Sequence, residues 1–200
     1  MRMLIATMNE GKLREYQRLL GEVPGLQLET MASLPSPVDV VEDRDTFEGN
    51  ARKKASEIAE AAGVTCLADD SGLEVDALGA RPGVYSARYS GEGATDASNN
   101  EKLLDELGDV PAAERTARFR CVIVVVDAEG RELALADRSC EGRNAHAPRG
   151  THGFGYDPLF IPDGYTETMA ELGPDAKNQI SHRAKAAAKL APLLLELPSH

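Results

Sequence analysis

The 200-residue sequence contains no tryptophan, and aromatic residues of all kinds make up only 4% of it. Its core must therefore be built from leucine, valine, isoleucine and alanine, and the 42% of hydrophobic residues suffice for one. Cysteine is scarce too. Cys66, Cys121 and Cys140 are odd in number and include no close-spaced pair, which argues against a disulfide framework and a cysteine-based metal site. Buried, reduced thiols in a reducing compartment are expected. No long apolar run exists. The longest, Cys121 to Val126, is far short of the roughly 20 residues that cross a bilayer. The N-terminal stretch turns polar by Asn9, too soon for a signal peptide. A cytoplasmic protein with no membrane partner is expected. Positive charge is in the minority, 22 Lys and Arg against 33 Asp and Glu, for a formal net charge of −11. Such a surface repels a nucleic-acid backbone, so no nucleic-acid partner is expected. It also repels a free triphosphate at long range. Any phosphate site must be local, made of Lys, Arg, backbone N–H groups and metal. There are no internal repeats and no low-complexity tract, and the length allows one large domain or two small lobes.

What is present centres on Leu67-Ala68-Asp69-Asp70-Ser71-Gly72-Leu73-Glu74-Val75. The apolar run from Val64 to Ala68 reads as a buried strand. It delivers Asp69 and Asp70 to a site at its C-terminal end, with a turn at Ser71-Gly72 before a second short run, Leu73 to Val75. Adjacent carboxylates suit a hard cation such as Mg2+, which takes one or two carboxylates together with phosphates and water. Taken alone, Asp-Asp-Ser-Gly reads first as a solvated acidic turn.

The rest of the chain falls into place around this stretch. Met3 to Ala6 is a first strand. Thr7 to Lys12 is a polar turn, and a helix follows with Leu13, Tyr16, Leu19 and Leu20 on one face. Backbone N–H groups and Lys12 at that helix start favour an anion. Leu26 to Leu28 suggests a second strand, and Leu34 to Val41, with Pro35 and Pro37, a stiff extended connection. Thr46 is an N-cap for a helix with the stripe Phe47, Ala51, Ala55, Ile58, Ala59 and Ala62, closed by Gly63. Gly49 is out of place there, at a cost of about 1 kcal/mol relative to Ala. Gly79 to Tyr89 reads as a long loop, functional or disordered. Ser98 and Glu101 suggest a capping box for a helix carrying Leu103, Leu104 and Leu107. Thr116–Val126 and Arg131–Cys140 read as a hairpin of strands, with Ala117, Phe119, Cys121 and Ile123 on one face. Pro148 to Pro158 is a glycine-punctuated loop in which Phe154 and Tyr156 suit stacking on a planar base and Asp157 suits a ring N–H; it reads equally as a structural turn. Leu159 to Ile161 returns to strand. Ser181 N-caps a last helix that places His182 and Arg183 in its first turn. Cations there oppose the helix dipole, a placement that makes sense if an anion binds. Pro192 is expected to kink or shorten that helix.

Five segments in order resemble one family, the inosine triphosphate pyrophosphatases or XTP/dITP diphosphatases: ATMNEGKLRE, TFEGNARKKA, LADDSGLEVDALGARPGVYSARYSG, GFGYDPLF and KNQISHRAKA. They run from Ala6 to Ala186, nearly the whole chain. The resemblance implies an α/β fold, two lobes of one domain over residues 1–200 around a long central mixed sheet, with the active site in the cleft between the lobes. It implies Mg2+-dependent hydrolysis of XTP, ITP and dITP to the monophosphate and pyrophosphate, by a homodimer.

By the same resemblance, Thr7, Met8, Asn9, Glu10, Gly11 and Lys12 form the triphosphate loop, and Lys54 lies near the phosphates. Asp70 is the general base and, with Glu42, a metal ligand. Ser71 touches substrate. Phe154, Gly155, Tyr156 and Asp157 form the base pocket, and Lys177, His182 and Arg183 read the purine and the nearby phosphate or sugar. The chain departs from the family pattern at Met8, where glycine is usual, at Gly49, where glutamate is usual, and at Asn144, where an apolar residue is common. A pyrophosphatase for modified pyrimidine nucleotides and a non-catalytic nucleotide-binding module are the two alternatives.

Overall fold

Strand β1 (Arg2–Ile5) buries Met3, Leu4 and Ile5 and pairs in parallel with β2 (Gln27–Thr30) on one side and β3 (Cys66–Val75) on the other. These pairings come from a computed structural model that describes residues 1–36 and 38–197. Pro37, read above as part of the extended connection, lies outside the described residues. The remaining strands are β4 (Arg81–Pro82), β5 (Thr116–Val126), β6 (Glu132–Asn144) and β7 (Phe160–Pro162). The sheet order is β2-β1-β3-β5-β6-β7, with β4 added to β3. Parallel pairing at β1 and antiparallel pairing at β3–β4 and β6–β7 make the sheet mixed, the expected α/β class.

The helices are α1 (Glu10–Leu19), α2 (Phe47–Ala62), α3 (Asp96–Leu107), α4 (Met169–Ile180) and α5 (His182–Leu195). None of the described helices is long and apolar enough to cross a membrane. The described residues divide into two compact units: those of 1–70, 121–138 and 186–200 form the first, those of 71–120 and 139–185 the second. The core of the first gathers Met3, Ile5, Tyr16, Leu67, Ile123 and Leu190. That of the second gathers Leu73, Leu103, Phe119, Tyr156, Phe160 and Met169, with Phe119 and Phe160 edge to face at 4.7 Å. Cys66, Cys121 and Cys140 are buried and form no disulfide, as the sequence suggests.

Several local expectations need correction. No turn occurs at Ser71-Gly72. β3 runs unbroken from Cys66 to Val75, so Asp69 and Asp70 sit mid-strand rather than at a strand end. The carboxylates have partners there and need no turn to reach water. The stretch from Gly79 to Tyr89 is neither a long loop nor disordered. Val75 pairs with Arg81 and Glu74 with Pro82, and Gly83–Arg88 forms a 3-10 helix. Helix α3 starts three residues earlier than read. Thr95 is the N-cap, and Ser98, not Glu101, completes the box by accepting from the Thr95 N–H. Pro192 does not shorten α5, which continues to Leu195. Helix α4 is missed by the sequence reading because Gly173-Pro174 interrupts it; Gly173 has φ 79° and ψ 178°, so the element is two helical pieces joined across a kink.

Gly49 acquires a reason. Thr46 Oγ1 accepts from its N–H at 3.0 Å, as an N-cap should, and Gly63 closes α2 at φ 64°. A Cβ on Gly49 would lie 2.9 Å from Arg44 Cβ and 3.0 Å from Thr46 Oγ1. Ordinary helix propensity predicts that Gly49→Ala stabilises by about 1 kcal/mol. Here the added methyl group strikes the cap itself, so no gain, or a loss of about 1 kcal/mol, is expected in urea denaturation. A clear rise in the midpoint would show that Arg44 moves aside freely.

Candidate active site

The first unit assembles a buried cluster of opposite charges. Lys12, in the first turn of α1, reaches β3, where its Nζ donates to Asp69 Oδ1 at 3.0 Å and Oδ2 at 3.3 Å. Lys54, on α2, donates to Glu42 Oε1 at 2.6 Å and to the Asp69 carbonyl at 2.7 Å, and lies 3.7 Å from Asp70 Oδ1. Asp70 Oδ2 accepts from Asn50 Nδ2 at 3.0 Å, and Asn50 Oδ1 accepts in turn from the Arg44 N–H. Period 2 of the strand puts Asp69 and Asp70 on opposite faces, which is why each meets a different lysine.

Burial pushes the Asp70 carboxyl up to about 6, with Glu42 and Asp69 adding to the rise and Lys54 and Asn50 opposing it. Burial alone would lower Lys54, but Asp70, Asp69 and Glu42 together hold it above its ordinary value. A carboxylate near 6 is matched to proton transfer at neutral pH.

The turn before α1 behaves less simply than expected. Asn9 caps the helix, its Oδ1 accepting from Gly11 N at 2.7 Å and Lys12 N at 3.3 Å, so these two N–H groups are already engaged. Thr7 Oγ1 accepts from Asn9 N, and Glu10 Oε1 accepts from Thr30 Oγ1 at 3.4 Å. Met8 is no obstacle. Among the described residues only Ala80 departs from negative φ without being glycine, so Met8 needs no glycine-like backbone.

Glu42 and Asp70 both flank Lys54, giving hard oxygen donors in one place. Among the described residues no group of three or more His, Cys, Asp or Glu side chains could hold a metal unaided. This donor set fits Mg2+, which takes one or two carboxylates and completes its shell with phosphate oxygens and water, and does not fit a metal that needs a full protein cage.

The second unit forms a pocket lined by Ser71, Ser86, Phe154, Asp157, Lys177 and Arg183 among others. Its volume of about 150 Å³ is below the ~300 to 1,000 Å³ typical of whole ligand sites, room for a fragment of a ligand rather than the whole of one. Phe154 is 56% exposed. Lys177 Nζ lies 4.2 Å from its ring centroid and Arg183 Cζ 6.0 Å. Asp157 Oδ2 accepts from Lys177 Nζ and from Phe154 N at 3.0 Å, which fixes the loop tightly. Gly153, at φ 81°, is required by that closeness, since a Cβ would fall 2.0 Å from Asp157 Oδ2. Ser181 Oγ caps α5 by accepting from Ala184 N. His182 then stacks on Phe119 at 4.9 Å, and Arg183 Nη2 donates to Ser71 Oγ at 3.3 Å. Arg183 is 2% exposed.

Tyr156 does not stack in the way its place in the motif suggests. It is buried in the core and its hydroxyl donates to the Ser86 carbonyl at 2.8 Å. Burial raises its hydroxyl pKa, as befits a structural group. The single exposed aromatic of the loop, Phe154, is the one suited to a base.

Each sequence-derived residue thus falls into one of two groups: Thr7 to Lys12, Glu42, Lys54 and Asp70 in the first unit, and Ser71, Phe154 to Asp157, Lys177, His182 and Arg183 in the second. The sequence reading missed Asn50, which is fully buried and bonded to Asp70. The signal was a polar residue on the apolar face of α2, one position before Ala51. Asn144 is buried at the end of β6 with both side-chain polar atoms lacking partners among the described residues, and the structure offers no account of it.

The chain is similar to known proteins along nearly its whole length. A family model described as the Ham1 family matches residues 3–193. A dITP/XTP pyrophosphatase of Geobacter sulfurreducens is 51% identical over 94% of this chain and 94% of its own length. One of Shouchella clausii is 46% identical over 94% and 93%. Among solved structures, a HAM1 protein from Coxiella burnetii superposes with a TM-score of 0.90 at 38% identity, over 98% of this chain and 100% of that one. With a matching family model across nearly all its length and relatives at about half identity, the chain belongs to the Ham1 family.

Proposed function

We propose that this protein hydrolyses non-canonical purine nucleoside triphosphates (XTP, ITP and dITP) to the monophosphate and pyrophosphate, removing them from the nucleotide pool. The names of its relatives, dITP/XTP pyrophosphatases, support the reaction. The observation that carries the chemistry is Asp70, a buried carboxyl near 6 beside Lys54. Asp70 takes a proton from water. The water oxygen bonds to the α-phosphorus, the bond from that phosphorus to the bridging oxygen breaks, and pyrophosphate leaves. Asn50 orients the carboxylate of Asp70. Lys12 and Lys54 offset phosphate charge. Glu42 and Asp70 would hold Mg2+, which when bound supplies further charge neutralisation at the phosphates. Thr7 to Gly11 shape the phosphate end.

At the base end, Phe154 offers a ring face, and Arg183 and Lys177 are cationic donors that suit the 6-oxo acceptor of hypoxanthine or xanthine over the 6-amino group of adenine. The family resemblance also supports one domain over residues 1–200, a homodimer and a place in the cytoplasm.

The test is product analysis with ITP, XTP, dITP, ATP, GTP and modified pyrimidine triphosphates, with Mg2+ and with EDTA. Monophosphate and pyrophosphate from the 6-oxo non-standard purines are expected, absent in EDTA and weak with ATP and GTP. Release of a single phosphate would move the attack to the γ-phosphorus. Turnover of pyrimidines alone would discard the base assignment, and binding without turnover would leave a nucleotide-binding module.

A further inference from the structure

Two stretches far apart in sequence, Ser86–Ala87 and Gly155–Tyr156, wall the base pocket, with Asp96 and Asn99 also at its lining. Both are tied to the first turns of α3, a segment to which neither the phosphate chemistry nor the base-contacting residues assign a role. Gly155 is held through both its backbone groups. Its N–H donates to Asp96 Oδ2 at 2.7 Å, and its carbonyl accepts from Asn100 Nδ2 at 2.8 Å. Asp96 and Asn100 are one helical turn apart and so face the same way. Asn100 Nδ2 also donates to the Asp96 carbonyl, which fixes its own rotamer. The neighbouring Asn99 holds the other wall. Its Nδ2 donates to the carbonyls of Ser86 at 3.3 Å and Ala87 at 3.2 Å, and its Oδ1 accepts from Ser90 N at 2.8 Å. Tyr156, whose hydroxyl donates to the Ser86 carbonyl, joins the two walls directly.

A purely structural role is the simpler explanation for buried asparagines, and Asn99 and Asn100 are 4% and 8% exposed. Two features point further. Most of these bonds end on backbone groups of pocket-lining residues rather than on the core. And Asp96 is exposed, so it adds nothing to core packing, yet it accepts one of the shorter bonds of the set. We infer that Asp96, Asn99 and Asn100 are positioning residues that hold the two walls of the base pocket, and so set how tightly the base is bound. The inference rests on the reading of this pocket as the purine site.

The test combines steady-state kinetics on ITP with hydrogen exchange at the Gly155 amide in wild type, Asp96→Ala, Asp96→Asn and Asn100→Ala. Asp96→Ala is expected to raise KM about tenfold with kcat within about twofold, the effect of one charge-assisted hydrogen bond. Its Gly155 amide should exchange faster. Asp96→Asn keeps an acceptor and should bring KM back to within about twofold of wild type. A purely structural role would lower the melting temperature but would not split KM from kcat. Should Asn100→Ala fail to fold, Asp96→Ala, at an exposed position, still decides. An unchanged KM in folded Asp96→Ala, or unchanged Gly155 exchange, overturns the inference. If wild type turns over no purine triphosphate, the purine reading fails, and the exchange comparison, which needs no substrate, still decides whether α3 holds the wall.

Discussion

Asp70→Asn is expected to abolish turnover and, in the absence of divalent metal, to make the folded protein more stable at pH 8. The loss of activity should be on the order of 10³-fold or more, since the proposed base and a proposed metal ligand go together. The gain in stability follows from the environment that makes Asp70 useful. Its carboxyl is pushed from 3.8 to about 6 in the fold, first by burial. Below about pH 4 the group is neutral in folded and unfolded chains alike and costs nothing. As pH rises toward 6 the unfolded chain ionises first, and above 6 the fold carries a buried charge that solvent would have held more favourably. A shift of that size corresponds to on the order of 3 kcal/mol.

Asparagine removes the penalty and can still accept from Asn50 Nδ2. Lys54 keeps Glu42 and the Asp69 carbonyl as partners. The attraction of Lys54 is already counted in the raised value, since it opposes burial there, so a gain of about 1 to 3 kcal/mol is expected once the site has relaxed around the amide. Melting curves in EDTA at pH 4 and pH 8 check this: the variant should be the more stable at pH 8, and the two should converge at pH 4. Near-normal turnover in the variant would remove Asp70 from the role of base. A variant less stable at pH 8 would show that the Lys54 attraction exceeds the cost of burial.

The same residue shows what a sequence reveals and what it hides. Asp69 and Asp70 read as a candidate site only through the family resemblance, because Asp-Asp-Ser-Gly taken alone is equally the composition of a solvated acidic turn. Their strand was misread at its end, because Ser71-Gly72 has the composition of a turn. Side-chain partners contributed from other elements, Lys12, Lys54 and Asn50, let the acidic pair stay in the sheet, and partners of that kind leave no local signature. Helix α2 was readable from cap to cap because its signals lie within it: Thr46, the apolar stripe and Gly63. Helix α4 was not, since Gly173-Pro174 cancels local propensity and the element is secured by its capping box at Thr168 and Glu171 and by burial of Met169 and Ala170. In the loop from Phe154 to Asp157, the sequence suggests two rings facing a ligand, and the fold turns one of them inward. Nothing in the run Phe154-Gly155-Tyr156 says which ring faces the pocket and which fills the core; the Ser86 carbonyl and the second unit's packing decide that for Tyr156.

Arg183→Ala is expected to reduce the preference for ITP over ATP by about 10- to 100-fold, mostly through loss of ITP turnover at low substrate. That range is the worth of one hydrogen bond from a charged donor in a desolvated site. Three observations favour an effect on the proposed base over one on general stability alone. Arg183 is 2% exposed, so its guanidinium works where water competes least. It lies 6.0 Å from the ring centroid of Phe154, the exposed aromatic of the pocket, and its Nη2 donates to Ser71 Oγ at 3.3 Å, a contact long enough to exchange for a better acceptor. It also sits in the first turn of α5, where a cation opposes the helix dipole, a placement that favours binding over folding. Arg183→Lys separates charge from shape. Lysine keeps the positive charge but lacks the planar fork, so an intermediate ratio is expected if directed donors matter. A lysine variant equal to wild type would mean that charge alone reads the base. The measurement is kcat/KM for ITP and ATP in the three proteins, with melting temperatures alongside. An unchanged ratio in the alanine variant, with the fold intact, would withdraw Arg183 from purine recognition and pass the role to Lys177, whose Nζ is otherwise engaged by Asp157.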